Sequence, residues 1–118
     1  MLVKYKKSCQ KIAMGLLSFM PKERNVKNLC QTINRYTEDP EWQLYLLKNG
    51  EDYVGLIGVE VAADFFIVHH ISVLPSFRGE GLGHKIIDKI QLLMQDREMR
   101  STDETKAFLD SCSKKLRL

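Results

Sequence analysis

The ten residues from Phe65 to Leu74 constrain this chain more than any other stretch. Phe65-Phe66-Ile67-Val68-His69-His70-Ile71-Ser72-Val73-Leu74 is almost wholly apolar and rich in β-branched and aromatic residues. A run this short, closed by Pro75, predicts a strand, and a strand apolar on both faces belongs at the centre of a covered sheet. Directly after it comes Arg78-Gly79-Glu80-Gly81-Leu82-Gly83. An amphipathic helix follows, with Ile86, Ile87, Ile90, Leu93 and Met94 as its apolar stripe and Lys85, Asp88, Lys89 and Gln95 outside. Helix N-termini expose unpaired N–H groups and a partial positive charge. Glycines let those donors close around an anion, and Arg78 adds a full charge and a fork of donors. The inference is a phosphate or pyrophosphate site, although glycines at a strand-to-helix turn also serve as plain turn residues. No G-x-x-x-x-G-K-[ST] can be laid over the loop. A dinucleotide fingerprint fails as well, because His84 stands at the third glycine position after Gly79 and Gly81.

The remaining elements are arranged around this unit. Met1 to Lys7 alternates apolar residues with lysines and reads as a short edge strand. Ser8 is a plausible N-cap for a helix carrying Ile12, Ala13, Leu16, Leu17 and Met20, stopped by Pro21. Asn25 caps a second helix with Val26, Leu29, Cys30 and Ile33 at helical spacing. Trp42 to Lys48 and Tyr53 to Val61 read as two strands joined by an Asn49-Gly50 hairpin turn. Gly55 and Gly58 in the second of them mark bulges or close backbone approach. A weak strand at Glu98 to Ser101 follows the amphipathic helix. A Ser101/Glu104 capping box then introduces a last helix bearing Thr105, Phe108, Leu109 and Cys112. The order β-α-α-β-β-β-α-β-α predicts an α/β fold with a mixed, mainly antiparallel sheet. No repeat or linker divides it, so residues 1–118 are expected to form a single domain.

Composition narrows the function. Apolar residues at 44% and charged residues at 28% exclude the disordered and low-complexity classes. The balance of 18 basic and 15 acidic residues, +3 net, is too mild to require nucleic acid, and no helix gathers Lys and Arg on one face. Cys9, Cys30 and Cys112 are widely spaced, so neither a zinc site nor a disulfide framework is expected, and an odd count fits the cytoplasm. The apolar run Ile12 to Met20 lacks a cleavage site and is far short of the ~20 residues of a membrane span. No membrane partner is expected.

The run Ile71-Ser72-Val73-Leu74-Pro75-Ser76-Phe77-Arg78-Gly79-Glu80-Gly81-Leu82-Gly83 resembles motif A of the GCN5-related N-acetyltransferases (GNAT), in which a strand continues into an R/Q-x-x-G-x-G/A loop. The order of elements resembles that family from Met1 to about Cys112. Lys4 to Lys7 and Ile12 to Pro21 are further similar to the small acetyltransferase-like proteins of bacterial riboflavin operons, which implies a link to riboflavin metabolism. The resemblance implies acetyl-CoA as cosubstrate, a small-molecule amine as acceptor and no metal. Main-chain groups of Ile71, Ser72 and Val73 would pair with the pantetheine arm, and the Val73 N–H would face the developing oxyanion. The N–H groups of Arg78, Gly79, Glu80, Gly81, Leu82, Gly83 and His84 would hold the pyrophosphate. The family's N-x-x-A-x-x-F-Y pattern retains Phe108 as a cofactor-side residue, but puts Leu109 where many relatives carry the tyrosine that protonates the leaving thiolate. Only Ser113 to Leu118 remains after that helix, too short for the two further strands most relatives have. A homodimer that covers the exposed edge is the corresponding expectation.

His70 and Glu60 are the candidate catalytic residues. Strict alternation puts His69 and His70 on opposite faces of the central strand, with His70 on the face of Ser72. An imidazole of pKa near ~6.5 suits proton removal at neutral pH. Residues from Phe19 to Asn25 border the acceptor side in the family resembled. The leading expectation is an acetyl-CoA-dependent N-acetyltransferase working by direct attack. A non-catalytic acyl-CoA-binding or regulatory module is the alternative, suggested by Leu109.

Overall fold

The computed structural model describes residues 1–116, with side chains described through residue 111. In chain order these form β1 (Leu2–Lys4), α1 (Gln10–Leu17), α2 (Val26–Glu38), β2 (Trp42–Asn49), β3 (Asp52–Val61), β4 (Phe65–Val73), α3 (Leu82–Leu93), β5 (Glu98–Ser101) and α4 (Lys106–Leu116). Three short 3-10 turns, Lys7–Cys9, Pro21–Glu23 and Pro75–Phe77, lie between them. The side chain of Cys112 and the tail residues 117–118 are outside what is described.

The strands form one sheet in the order β1-β2-β3-β4-β5. Every neighbouring pair is antiparallel except β4 and β5, which run parallel. This is the mixed α/β arrangement expected from the sequence. Gly50 at φ 65° makes the hairpin turn between β2 and β3. Helices α1 and α2 cover one face, where Ala13, Leu16, Leu17, Leu29, Ile33 and Tyr36 meet Leu44, Leu46 and Leu56. Helix α3 covers the other, with Ile86, Ile87 and Ile90 against Val54, Ile57, Val59, Phe66 and Val68, and Leu109 of α4 joins that layer.

Several expectations are corrected by the packing. Ile12 and Val26 face solvent at 42% and 69% exposure, and Cys30 is exposed, so the buried stripes run through Ala13, Leu16 and Leu17 and through Leu29, Ile33 and Tyr36. Leu93 is likewise 54% exposed, which narrows the α3 stripe to the isoleucines and Met94. Ser8 lies within a 3-10 turn and caps nothing; Cys9 precedes α1 without a side-chain cap. Asn25 does cap α2, its Oδ1 accepting from the Lys27 N–H at 2.7 Å. The capping box before α4 is shifted by one residue, because Ser101 is paired with Val68 in the sheet. Thr102 N–H donates to Thr105 Oγ1 (2.9 Å), and Thr105 N–H donates to Thr102 Oγ1 (3.3 Å).

Two irregularities in β4 create the functional region. Pairing with β5 runs only from Phe65 to Val68, after which the two strands part. At that point Thr105 inserts its hydroxyl, which donates to the Val68 carbonyl at 2.8 Å. The β3–β4 register also shifts, Gly58 opposing His70 and Val59 opposing Val68, so His69 is an extra, bulged residue.

Candidate active site

Beyond Val68 one edge of β4 is free of any strand partner among the described residues. Leu74 N–H donates to the Val54 carbonyl at 2.9 Å. In an antiparallel ladder the bonding residues alternate, so the main-chain groups of Ser72 turn toward β3 and those of Ile71 and Val73 turn toward the open edge. Ser72 instead uses its side chain, donating to the Leu16 carbonyl at 2.7 Å and tying β4 to α1. The expected trio of strand residues thus divides into two with outward main chains and one that braces the strand.

A cavity of about 390 Å³ lies along this edge. Ile71 and Val73 form its floor, the loop from Arg78 to His84 one wall, Phe108 and Ser111 of α4 the other, and Phe19 of α1's C-terminal extension its roof. Gly79 and Gly81 have φ of 87° and 77°, backbone that L side chains rarely adopt. Gly81 is the N-cap residue of α3, and the first cap-to-helix bond runs from Lys85 N–H to the Gly81 carbonyl at 3.1 Å. Among the described residues, no main-chain or side-chain acceptor takes the N–H groups of Gly79 to His84. They form a concave crown of donors at a positive helix end. Gly83 permits the Phe108 ring to close on the helix, since a Cβ there would lie 2.3 Å from its tip. Arg78 Nε donates to the Val73 carbonyl at 3.1 Å, and its guanidinium sits 5.4 Å from the centre of the Phe19 ring. Glu80 is exposed and contributes main chain only.

Behind the strand lies a second polar group. The bulge breaks the alternation of β4: Phe66, Val68, Ile71 and Val73 all face α3, while His69 and His70 both face α2. Their rings are 6.4 Å apart on one side of the sheet, which corrects the expectation of opposite faces. Glu60 meets His69 rather than His70, with Oε1 2.9 Å from Nε2. His69 in turn stacks on Trp42 at 4.3 Å, and Arg35 covers the indole's other side at 4.0 Å. His70 is held by two residues that sequence reasoning had not named as its partners. Tyr36 Oη lies 2.6 Å from Nδ1, and Glu23 Oε1 lies 3.2 Å from Nε2. Thr32 Oγ1 donates to the other Glu23 oxygen at 2.8 Å. Glu23 falls inside the Phe19 to Asn25 stretch, the one sequence signal that pointed toward it.

Burial pushes the His70 pKa below the usual histidine value, against the opposing pull of Glu23. Tyr36 is pushed well above the usual phenol range, first by burial and then by Glu23. A histidine whose folded pKa is depressed binds fewer protons folded than unfolded below its ordinary ~6.5. Stability is then fully present above that value and is lost as pH falls through the window down to the folded pKa. Wild-type protein is expected to lose more melting temperature between pH 7.5 and 5.5 than the His70→Gln variant; equal losses in calorimetric melts would disprove the effect.

The fold and this loop have counterparts. The family model for the acetyltransferase (GNAT) domain matches residues 40–114. The chain belongs to the GNAT family of N-acetyltransferases. An uncharacterized N-acetyltransferase from the lysA 3′ region of Bacillus methanolicus is 44% identical over 113 residues, spanning 95% of this chain and 94% of that one. Among solved structures, an aminoglycoside 6′-N-acetyltransferase from Acinetobacter haemolyticus superposes with a TM-score of 0.76 at 12% identity, over 96% of this chain and 88% of that one. A possible acetyltransferase from Clostridium difficile gives 0.77 at 12% identity, over 96% and 88%. An aminoglycoside N-acetyltransferase in complex with CoA gives 0.75 at 15%, over 94% and 82%. At these identities the solved structures establish that this GNAT protein shares their fold. No helix among its described residues is long and apolar enough to cross a membrane.

Proposed function

We propose that this GNAT protein transfers the acetyl group of acetyl-CoA to a small-molecule amine by direct attack. The observation that carries the reading is the continuous donor surface made by the open edge of β4 and the N–H crown of residues 79–84. These residues fit the cosubstrate: a crown at a helix N-terminus suits a pyrophosphate, and an unpaired strand edge suits an amide-bearing arm. Relatives of the same fold include a CoA complex and enzymes named for aminoglycoside acetylation.

In this reading Ile71 and Val73 hold the pantetheine arm, while Arg78 locks the Val73 carbonyl. The Val73 N–H then donates to the thioester oxygen as negative charge develops there. Phe108, seated against Gly83, closes the wall and excludes water. Positioning of the two substrates supplies most of the acceleration, because no covalent enzyme intermediate is needed. The remaining task is removal of a proton from the amine, and the His70 group lies about 7 Å along β4 from Ser72, two residues on at ~3.3 Å each. Glu60 acts on His69 and so shapes this group from outside. The riboflavin connection is carried by the N-terminal resemblance alone, as the cytoplasmic location is by cysteine usage.

Leu109 favours a second reading. It is buried in the α3 layer at 5% exposure, so position 109 offers no hydroxyl to the leaving thiolate, and Ser111 is the α4 hydroxyl that lines the cavity. An acyl-CoA-binding module without turnover would have the same loop. Isothermal titration with acetyl-CoA is expected to give micromolar affinity, and absence of heat would overturn both readings. Release of free CoA across a panel of small amines separates transfer from binding alone.

A further inference from the structure

Glu23 is the one carboxylate that is buried among the described residues, at 8% exposure, and the cofactor surface does not use it. Its surroundings fix where protons sit. An ionised carboxylate only accepts, so His70 Nε2 must donate to Oε1 across their 3.2 Å contact. In the neutral imidazole Nδ1 is then the acceptor, and Tyr36 Oη donates to it at 2.6 Å. Both ring nitrogens are committed to hydrogen bonds, so His70 can take an incoming proton only by giving up its bond from Tyr36. Glu23 is different. His70 and Thr32 take one lone pair on each oxygen, and each oxygen keeps another. Glu23 follows Phe19, the cavity's roof, by four residues, and the turn that carries it is pinned to the start of α4 by the Lys22–Glu104 ion pair at 3.1 Å.

We propose that Glu23 is the catalytic residue that takes the acceptor amine's proton, and that His70, oriented by Tyr36, is a positioning residue that keeps this carboxylate aimed. The proposal rests on the acetyl-transfer reading above. It also names the acceptor class, a primary alkyl amine that arrives as its ammonium ion. The groups facing His70 are Glu23 from the turn before α2, Tyr36 from α2, His69 from its own strand and Glu104 from the turn before α4. Glu60 and Arg35 flank Tyr36 with opposite signs. Three carboxylates against the Arg35 guanidinium and the Lys22 ammonium that pairs with Glu104 leave one negative charge in excess, which favours a cation. The ammonium gives one proton to Glu23, and its freed lone pair forms the C–N bond as the C–S bond breaks. The second nitrogen proton leaves with the thiolate as CoASH. Glu23 returns its proton to water, so one proton is released per turnover.

The test uses the full chain with acetyl-CoA and a panel of linear alkyl monoamines, diamines and polyamines, with acetylated product detected by mass spectrometry. Glu23→Gln keeps the shape and the acceptor to His70. It is expected to lower kcat/KM for amine at least ~100-fold and to leave acetyl-CoA affinity unchanged. His70→Gln, whose amide still donates to Glu23, is expected to keep about a tenth of wild-type activity or more, whereas His70→Ala falls as far as Glu23→Gln. In wild-type protein at pH 7, nitrogen NMR of His70 is expected to show the neutral Nε2–H tautomer, a readout that no variant's folding can disturb. Retention of half the activity in Glu23→Gln, a His70→Gln as inactive as His70→Ala, or an Nδ1–H tautomer would each overturn the proposal. Acetyl-CoA binding with no transfer to any amine of the panel would overturn it and leave the cofactor reading standing. Failure to bind acetyl-CoA would overturn that reading first.

Discussion

Gly81→Val is expected to raise the Kd for acetyl-CoA by about 100-fold or more while shifting the melting temperature by only ~5 °C. Gly81 sits at φ 77° and ψ 14°, and a β-branched residue held there carries about 1–2 kcal/mol of strain. Beyond its chain neighbours no atom lies within 4 Å of its would-be Cβ, so the strain is in the backbone conformation rather than in a clash at Cβ. The loop can relieve the strain only by rotating the peptides on either side. Those peptides carry the N–H groups that converge on the anion. Charge-assisted hydrogen bonds contribute roughly 1.5–3 kcal/mol each, and losing two corresponds to at least two decades of affinity. Glu80→Ala is the control. It removes an exposed carboxylate next to the anion site but keeps the N–H, so affinity is expected to hold or improve. Titration calorimetry on both variants checks the pair. Equal affinities for wild type and Gly81→Val would mean that the loop does not bind through its backbone.

What could be read in advance follows how far apart the interacting residues are in sequence. The strand-loop-helix unit from Phe65 to Met94 is local, and its elements and their order follow from neighbouring residues. The β2–β3 hairpin is local for the same reason. Gly58 marks an irregularity in β3 and does stand at the register shift, but nothing in the apolar run of β4 shows that the extra residue is His69. The bulge coincides with the point where β5 departs from β4, a long-range arrangement that only the assembled sheet contains. Period-2 reasoning therefore placed the two histidines on opposite faces. The Glu23–His70 contact joins residues 47 apart, and Glu23 in isolation is a glutamate after Pro21-Lys22 with no pattern around it. Ser101 and Glu104 had the right spacing for a capping box, yet sheet pairing claimed Ser101 and the box moved to Thr102 and Thr105.

The second large effect is expected at Gly58, where stability and the His70 group meet. A Cβ built on Gly58 would lie 2.0 Å from the Tyr36 hydroxyl oxygen and 2.4 Å from Cζ. Contacts that short do not occur, so either β3 or Tyr36 must move. Strand β3 is paired on both sides, to β2 and β4, and cannot yield. Tyr36 is 7% exposed and wedged between Trp42 at 5.4 Å and His70 at 5.6 Å. Displacing it overpacks the α2 layer, at about 1–3 kcal/mol. It also parts the hydroxyl from His70 Nδ1 and leaves both groups buried without a partner, at about 1–3 kcal/mol more. Gly58→Ala is therefore expected to destabilise by roughly 2–6 kcal/mol, a large share of the 5–15 kcal/mol that holds a domain together. In a chain of this size the melting temperature should fall by ~10 °C or more. The loss is specific to one contact, which makes it separable. Tyr36→Leu empties the space that the new methyl needs, so Gly58→Ala should cost less in that background than in wild type. Additive losses in a double-mutant cycle of thermal melts would show that the collision is with something other than Tyr36. With the ring displaced, Nδ1 loses its donor and the imidazole is free to take the other tautomer. The same substitution should then turn His70 away from Glu23 and lower amine turnover in the protein that remains folded.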